Sequence, residues 1–175
     1  MIPAPQPAGA KPRTLAGLTD LGLVTGYVVV LAMLIALVFP YLTGPTPVWA
    51  GVMLAWLFIE VPVGVWWWRQ ESVTGTTIGK RLMGLRVVRL GTTTPASPLR
   101  CAVRTVGKIL PWAIVHLLVL VATDAPQAEW WSVPALTLVA ALGLVSILAA
   151  FVRLDHCAAY DLLAGTQVIT ADSGN

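Results

Sequence analysis

The stretch LVTGYVVVLAMLIALVF at residues 23–39 contains no charged residue, and it decides the class of this protein. It is the centre of a helix predicted over residues 18–42, which is long enough to span the roughly 30 Å of hydrocarbon in a bilayer. Three further apolar runs follow along the chain. The sequence therefore predicts an all-α membrane protein, a four-helix transmembrane bundle with helices over residues 18–42, 48–68, 104–123 and 133–152.

Composition supports the membrane class, because only 11% of the 175 residues are charged. A soluble domain has about a quarter of its residues charged. One membrane domain is predicted over residues 13–171, between a disordered, Pro- and Ala-rich tail at residues 1–12 and a short tail at residues 172–175. The third helix is short and contains Pro111. An alternative with three spans, in which this helix lies in the interface, is less favourable because the helix would end beside acidic residues on the basic side.

Positive charge is confined to one side of the predicted bundle. The two loops on the opposite side contain no Lys or Arg and carry Asp124 and Glu129. By the positive-inside rule, both termini and the loop at residues 69–108 are cytoplasmic. The net charge of +3 then fits the anionic inner leaflet of the lipid bilayer better than a nucleic-acid partner. The residues on the basic side are Lys11, Arg13, Arg69, Lys80, Arg81, Arg86, Arg89, Arg100, Arg104, Lys108 and Arg153.

Three patches on that side form a specific pattern: RTLAGLTD at 13–20, GTTIGKRLMGLRVV at 75–88, and DLLAGTQVI at 161–169. In this order they resemble the RDD family of bacterial membrane proteins, named for one Arg and two Asp. The resemblance covers nearly the whole chain and implies a multi-pass protein of the bacterial cell membrane. It assigns the family Arg to Arg13, the two Asp to Asp20 and Asp161, and a further Arg to Arg104. The remaining hallmarks are Glu71, Gly75, Thr77, Gly79, Lys80, Arg81, Gly84 and Arg86 in the loop, and Gly165 and Thr166 near the C-terminus.

One position departs from the family pattern, because Tyr160 stands where a His often precedes the second Asp. Residues 84–90 and 165–171 each have a Gly followed by alternating β-branched residues, so we predict that they pair as a small two-stranded sheet. Residues 77–83 are predicted to form a short amphipathic interfacial helix.

Arg13, Asp20, Asp161 and Arg104 are expected to converge where the helices meet the cytoplasm. Such a cluster has two interpretations. It either locks the fold, because a carboxylate near the membrane needs a partner, or forms a cation or proton site.

Two ionisable residues, Glu60 and His116, lie inside predicted spans at similar depth. Glu60 is about 13 Å along its helix from Arg69, and His116 is about 12 Å from Lys108. A Glu and a His at one level can share a hydrogen bond or pass a proton. The alternative is that Glu60 is protonated or bonded elsewhere and that His116 is a neutral packing residue.

No catalytic constellation appears in the sequence, so an enzyme is not predicted, and neither is a cofactor or a metal site. GKRL at 79–82 lacks the spacing of a phosphate-binding loop, and Cys101 and Cys157 lack a metal-ligand or redox spacing. The resemblance implies a small transporter that exchanges monovalent cations for protons, and four short helices would require a homo-oligomer for that task. The alternative is a non-transporting structural or accessory subunit of a larger membrane complex.

Overall fold

The computed structural model describes residues 7–42, 48–124, 133–135, 137–139, 141, 152 and 157–171. Within these residues, three helical stretches are long and apolar enough to cross a membrane: Ala10–Val38, Trp49–Thr74 and Pro98–Leu118. The prediction of a mostly helical chain with several potential spans is therefore confirmed. The predicted fourth helix, residues 133–152, lies mostly outside the described residues, and those of its residues that are described are helical.

The described residues form helices and two strands, and the two strands pair as one small sheet. A short π-helical segment, Trp56–Glu60, joins the second and third helices into one rod. The helices are α1 (Ala10–Leu42), α2 (Val48–Ala55), α3 (Val61–Thr74), α4 (Ile78–Leu82), α5 (Pro98–Asp124) and α6 (Ala159–Ala164). The strands are β1 (Leu85–Arg89) and β2 (Thr166–Thr170).

Helix α1 begins at Ala10 rather than at residue 18, because its polar first part also packs against the rest of the fold. Ala16 and Asp20 lie one turn apart and are both buried against α4. Just before the helix, the Ala8 backbone N–H donates to the carbonyl of Val168 (3.0 Å). This part of the predicted tail therefore lies along β2, while residues 1–6 are outside the described residues.

The rod formed by α2, the π-helical segment and α3 extends to Thr74, past the predicted end at residue 68. Pro62 has no N–H to donate to the preceding turn, so one helical hydrogen bond is missing there. The π-helical segment accommodates this defect, with the Val61 N–H bonded to the carbonyl of Trp56. The rod ends at Gly75, whose φ of 70° is left-handed and costs little without a Cβ.

The predicted strand pairing is confirmed, since β1 and β2 form an antiparallel pair from Leu85 opposite Thr170 to Arg89 opposite Thr166. The short helix before β1 is also present as α4, whose first turn is capped by the Thr77 side chain. The sheet is the best-buried part of the described chain, and Val87 and Val168, directly opposite each other, are both 1% exposed.

Helix α5 begins at Pro98 rather than at residue 104 and continues through Pro111 to Asp124. Pro98 is favourable at a helix start, because its missing N–H would have no partner in the first turn. Helix α5 packs against α3 on one side and α6 on another. It therefore brings the end of α3 and the C-terminal motif of the chain into contact with one helix.

Candidate functional site

Glu71, near the end of α3, is the centre of a buried group of charges. Its Oε1 lies 2.7 Å from Lys80 Nζ and 2.6 Å from Lys108 Nζ, and its Oε2 lies 3.2 Å from Arg104 Nε. The residue is only 1% exposed. Three cations on two other helices therefore meet at one carboxylate, and this contact fixes α4 and α5 against the end of α3.

Arg104 extends this group to the C-terminal motif. Its Nη1 lies 2.6 Å from Asp161 Oδ1, and Asp161 Oδ2 lies 2.5 Å from Arg13 Nη2. Arg104 also donates to Thr166 Oγ1 at 3.2 Å. We call the six charged residues joined in this way the charge network; its members are Arg13, Glu71, Lys80, Arg104, Lys108 and Asp161.

Three of the four residues expected to converge do so, and Asp20 does not. Its Oδ2 accepts a hydrogen bond from Thr77 Oγ1 (2.5 Å), and its Oδ1 accepts one from the Gly79 N–H (2.8 Å). The first turn of α4 offers unpaired N–H groups, which bind a carboxylate favourably. Asp20 therefore fastens α4 to α1, and it reaches the charge network only through Thr77, whose Oγ1 lies 3.4 Å from Lys80 Nζ.

Two glycines of the motifs are required, Gly79 by close approach to a backbone and Gly165 by its left-handed φ of 59°. A Cβ at Gly79 would lie 2.1 Å from the carbonyl oxygen of Ala16, so only glycine lets α4 touch α1 here. A Cβ at Gly165 would lie 2.1 Å from Arg100 Nη1, which caps α6 by donating to the carbonyls of Ala164 and Gly165, both at 3.0 Å.

The other motif residues have varied positions. Thr166 is buried in β2, and Gly84 turns the chain into β1 with a φ of 62°. Arg86 is partly buried on β1, while Arg81 is exposed on α4 and outside the charge network.

Two residues of this site were not predicted from the sequence: Lys108, a member of the charge network, and Tyr160, an aromatic residue beside it. The Tyr160 ring centroid lies 5.4 Å from Arg104 Cζ and 5.7 Å from Lys108 Nζ, within range of a cation–π contact to both. Burial and the adjacent Asp161 carboxylate raise the pKa of Tyr160, so the ring is a neutral phenol. Lys108 follows Arg104 by one helical turn, and this spacing was the signal that could have identified it.

The second polar site is the contact between Glu60 and His116, which the sequence placed at similar depth. The His116 Nδ1 and Glu60 Oε1 atoms are in contact, so the structure brings the two residues together. Glu60 is the last residue of the π-helical segment and is 8% exposed, whereas the His116 side chain is 34% exposed. Tyr27 supports this segment from α1, because its hydroxyl donates to the carbonyl of Phe58 at 2.5 Å.

The charge network and the Glu60–His116 pair differ in the ions that they can bind. Each network carboxylate already has two or more cationic partners, which leaves little room for a metal cation. Within the described residues, no group of three or more His, Cys, Asp or Glu could hold a metal ion. Cys101 and Cys157 are both buried. The Glu60–His116 pair is different, because a carboxyl and an imidazole can each gain or lose a proton.

Comparison with known proteins gives a single finding. The sequence model of the RDD family matches residues 7–165, which include both polar sites and strand β1 and end just before β2. No curated protein and no solved structure matches the chain.

Proposed function

Since this chain belongs to the RDD family of membrane proteins, we propose that it is a small transporter that exchanges monovalent cations for protons at the Glu60–His116 pair. The observation that carries this proposal is the contact of these two side chains within candidate membrane spans. An ionisable residue inside a membrane is costly to keep and commonly marks an ion or proton path.

The pair has the chemistry that such an exchange requires. A carboxylate binds either a proton or a monovalent cation, and an adjacent imidazole can deliver or accept the proton. His116 is the more accessible partner and Glu60 the shielded one. In the proposed exchange, Glu60 holds either the cation or a proton. When the cation leaves to one side, His116 passes Glu60 a proton taken up from that side, and when the next cation binds from the other side, His116 accepts this proton and releases it there.

We assign the charge network an architectural role rather than a transport role. A cation entering it would have to displace an ammonium or guanidinium group from each carboxylate. This favours the interpretation in which the RDD motif locks the helix ends together.

The proposed arrangement in the cell is a multi-pass protein of the bacterial cell membrane with four spans and cytoplasmic termini. The basis is the charge asymmetry of the sequence, whose eleven Lys and Arg all fall on one side of a four-span chain. That side would face the anionic leaflet. Because four short helices enclose little volume, the transporting unit is proposed to be a homo-oligomer.

Vesicle transport with matched variants tests this function. The purified protein is reconstituted with a trapped pH dye, a pH gradient is imposed, and Na⁺ or K⁺ is added. We expect the cation to dissipate the gradient, and Glu60→Gln to slow this by more than about tenfold, because an amide does not titrate. Glu60→Asp should keep part of the rate. Glu129→Gln, the same change in the predicted loop before helix four, should keep all of it.

Two outcomes contradict the proposal at different levels. If no cation dissipates the gradient with the wild-type protein, the transport function is wrong. If transport occurs and Glu60→Gln equals the wild type, transport uses another site.

The alternative function, an accessory subunit of a larger membrane complex, is favoured by one feature of α1. Much of its apolar surface is exposed, including Leu18, Met33 and Leu37, at 58%, 68% and 66%. Purification in mild detergent, followed by mass analysis of what co-purifies, separates the two. A stoichiometric foreign subunit would favour the accessory role, and a homo-oligomer would favour transport.

A further inference from the structure

An apolar slot of about 370 Å³ lies between α1 and α3 and is closed at one end by α4. Its volume is in the range of pockets that hold small ligands. The lining is aliphatic and aromatic, and the Tyr27 hydroxyl is already bonded to Phe58. The residues that matter here are Leu23, Val24 and Tyr27 from α1, Pro62 and Trp66 from α3, and Ile78 from α4.

The position of the slot indicates what surrounds it. The α1 and α3 residues of the lining all belong to candidate membrane spans. Water is scarce inside a bilayer, and the mostly apolar lining offers it few partners. The solvent available to an apolar slot in a bilayer is the hydrocarbon of the lipid chains.

A cation lies on the same side of α4 as the slot. Arg81 follows the lining residue Ile78 by three positions, so the two side chains lie on one face of this helix. Arg81 is exposed, and among the described residues its guanidinium has no partner, whereas the neighbouring Lys80 is bound to Glu71. Leu82 beside it is 67% exposed. Apolar and cationic groups on one exposed face are typical of a segment at the boundary between headgroups and acyl chains.

We propose that this slot is a binding site for an anionic phospholipid, with one acyl chain between α1 and α3 and the phosphate on Arg81. The guanidinium suits this headgroup, because its planar donors match two phosphate oxygens. This proposal does not rest on the proposed transport, and the site uses none of the residues of the charge network. A lipid bound there would attach the chain to the leaflet at one defined point, in addition to the general attraction of basic residues for anionic lipids.

Quenching of tryptophan fluorescence by brominated lipids tests the site directly, because Trp66 lines the slot. The full chain is reconstituted in phosphatidylcholine vesicles with small equal fractions of acyl-brominated phosphatidylglycerol or brominated phosphatidylcholine. We expect saturable quenching with about a fivefold preference for phosphatidylglycerol, since one basic residue near an anionic headgroup contributes about that much. Trp66→Phe should remove the saturable component, although seven other tryptophans remain.

Matched arginine variants distinguish a specific lipid-binding site from a general attraction between positive charge and anionic lipid. Arg81→Gln should abolish the preference, and Arg89→Gln, an equally exposed arginine on β1, should leave it unchanged. Equal quenching by the two lipids in the wild type would overturn the proposal, as would equal losses in both variants. It would also be overturned if Val24→Cys formed a disulfide between two copies of the chain, because the slot would then be a protein interface. None of these readouts measures transport, so failure here and failure of the proposed function are distinguishable.

Discussion

Glu71 and Glu60 both lie on the rod that packs against α5, about 16 Å apart along its axis, yet their surroundings differ. Glu71 is contacted by three cations, and the network continues through Arg104 to Asp161 and Arg13. Among the described residues, the one ion-pair partner of Glu60 is His116, which contacts its Oε1. Both carboxylate oxygens of Glu71 therefore contact a cation, whereas one oxygen of Glu60 has such a partner among the described residues.

This difference shows how the contact between the rod and α5 can contribute both to the stability of the fold and to proton transfer. Removing one member of a fully paired buried network leaves an uncompensated charge, so the substitution of any member destabilises the fold. A pair with one titratable partner can change protonation without breaking other contacts. Between the two sites, Gly64 lies against Ile109 so closely that a Cβ would come within 2.7 Å of the Ile109 Cδ1. Apolar packing therefore separates the two polar sites.

The largest effect is expected from Glu71→Gln, which would leave Lys80, Lys108 and Arg104 short of a negative charge. We expect a loss of about 3–5 kcal/mol in the free energy of unfolding, measured by denaturant titration in mixed micelles. Glu60→Gln, the same change at the other site, should cost only about 0.6 kcal/mol, the average for a polar contact between membrane helices. Equal losses in the two variants would remove the contrast between the sites.

A smaller effect is expected from Gly79→Ala, because the new Cβ would meet the Ala16 carbonyl at 2.1 Å. The backbone of α4 must then move away from α1, which should cost about 1–3 kcal/mol by the same measurement. Gly17→Ala is the control, since no atom lies within 4 Å of its added Cβ. If Gly79→Ala were as stable as this control, the contact of Asp20 with α4 would not matter to the fold.

Tyr160→Leu should cost about 1 kcal/mol, because leucine removes the ring that faces Arg104 and Lys108. Tyr160→Phe keeps the ring and should be close to the wild type. A loss of equal size in both variants would show that the hydroxyl, rather than the ring, stabilises the network.

The smallest effect is expected from Tyr27→Phe, which frees the Phe58 carbonyl beside the Glu60–His116 pair. The expected loss is about 0.6 kcal/mol, since a single hydrogen bond between membrane helices contributes little. In the vesicle assay, the same variant should lower the transport rate below that of the wild type. An unchanged rate would mean that the π-helical segment does not depend on α1.

Part of the fold was accessible from sequence because it depends on local features. The paired strands follow from alternating residues after Gly84 and Gly165, whose left-handed φ angles start each strand in the same way. The helix bounds were less accurate, and α1 and α5 both begin earlier than predicted. Helix α1 packs against α4 and helix α5 against α6, and hydropathy along the chain does not report such contacts.

The candidate sites were predicted in part. The motif identified Arg13, Asp161 and Arg104 as neighbours, but it did not separate Asp20 from them. Nor did it show that Glu71 is the centre of the network or that Lys108 belongs to it. The spacing of residues along one helix shows on which face a charged side chain lies. The residue that it pairs with depends on which end of another helix packs against that face.

The apolar run at residues 23–39 and its successors determined by themselves that this is a membrane protein, because the cost of exposing such runs to water does not depend on their neighbours. Only the tertiary structure decided which acid meets which base. The π-helical segment changes the direction in which Glu60 points, and α5 must lie against it for His116 to reach that side chain. Both conditions depend on packing between segments far apart in sequence, so hydropathy and motif spacing could not supply them.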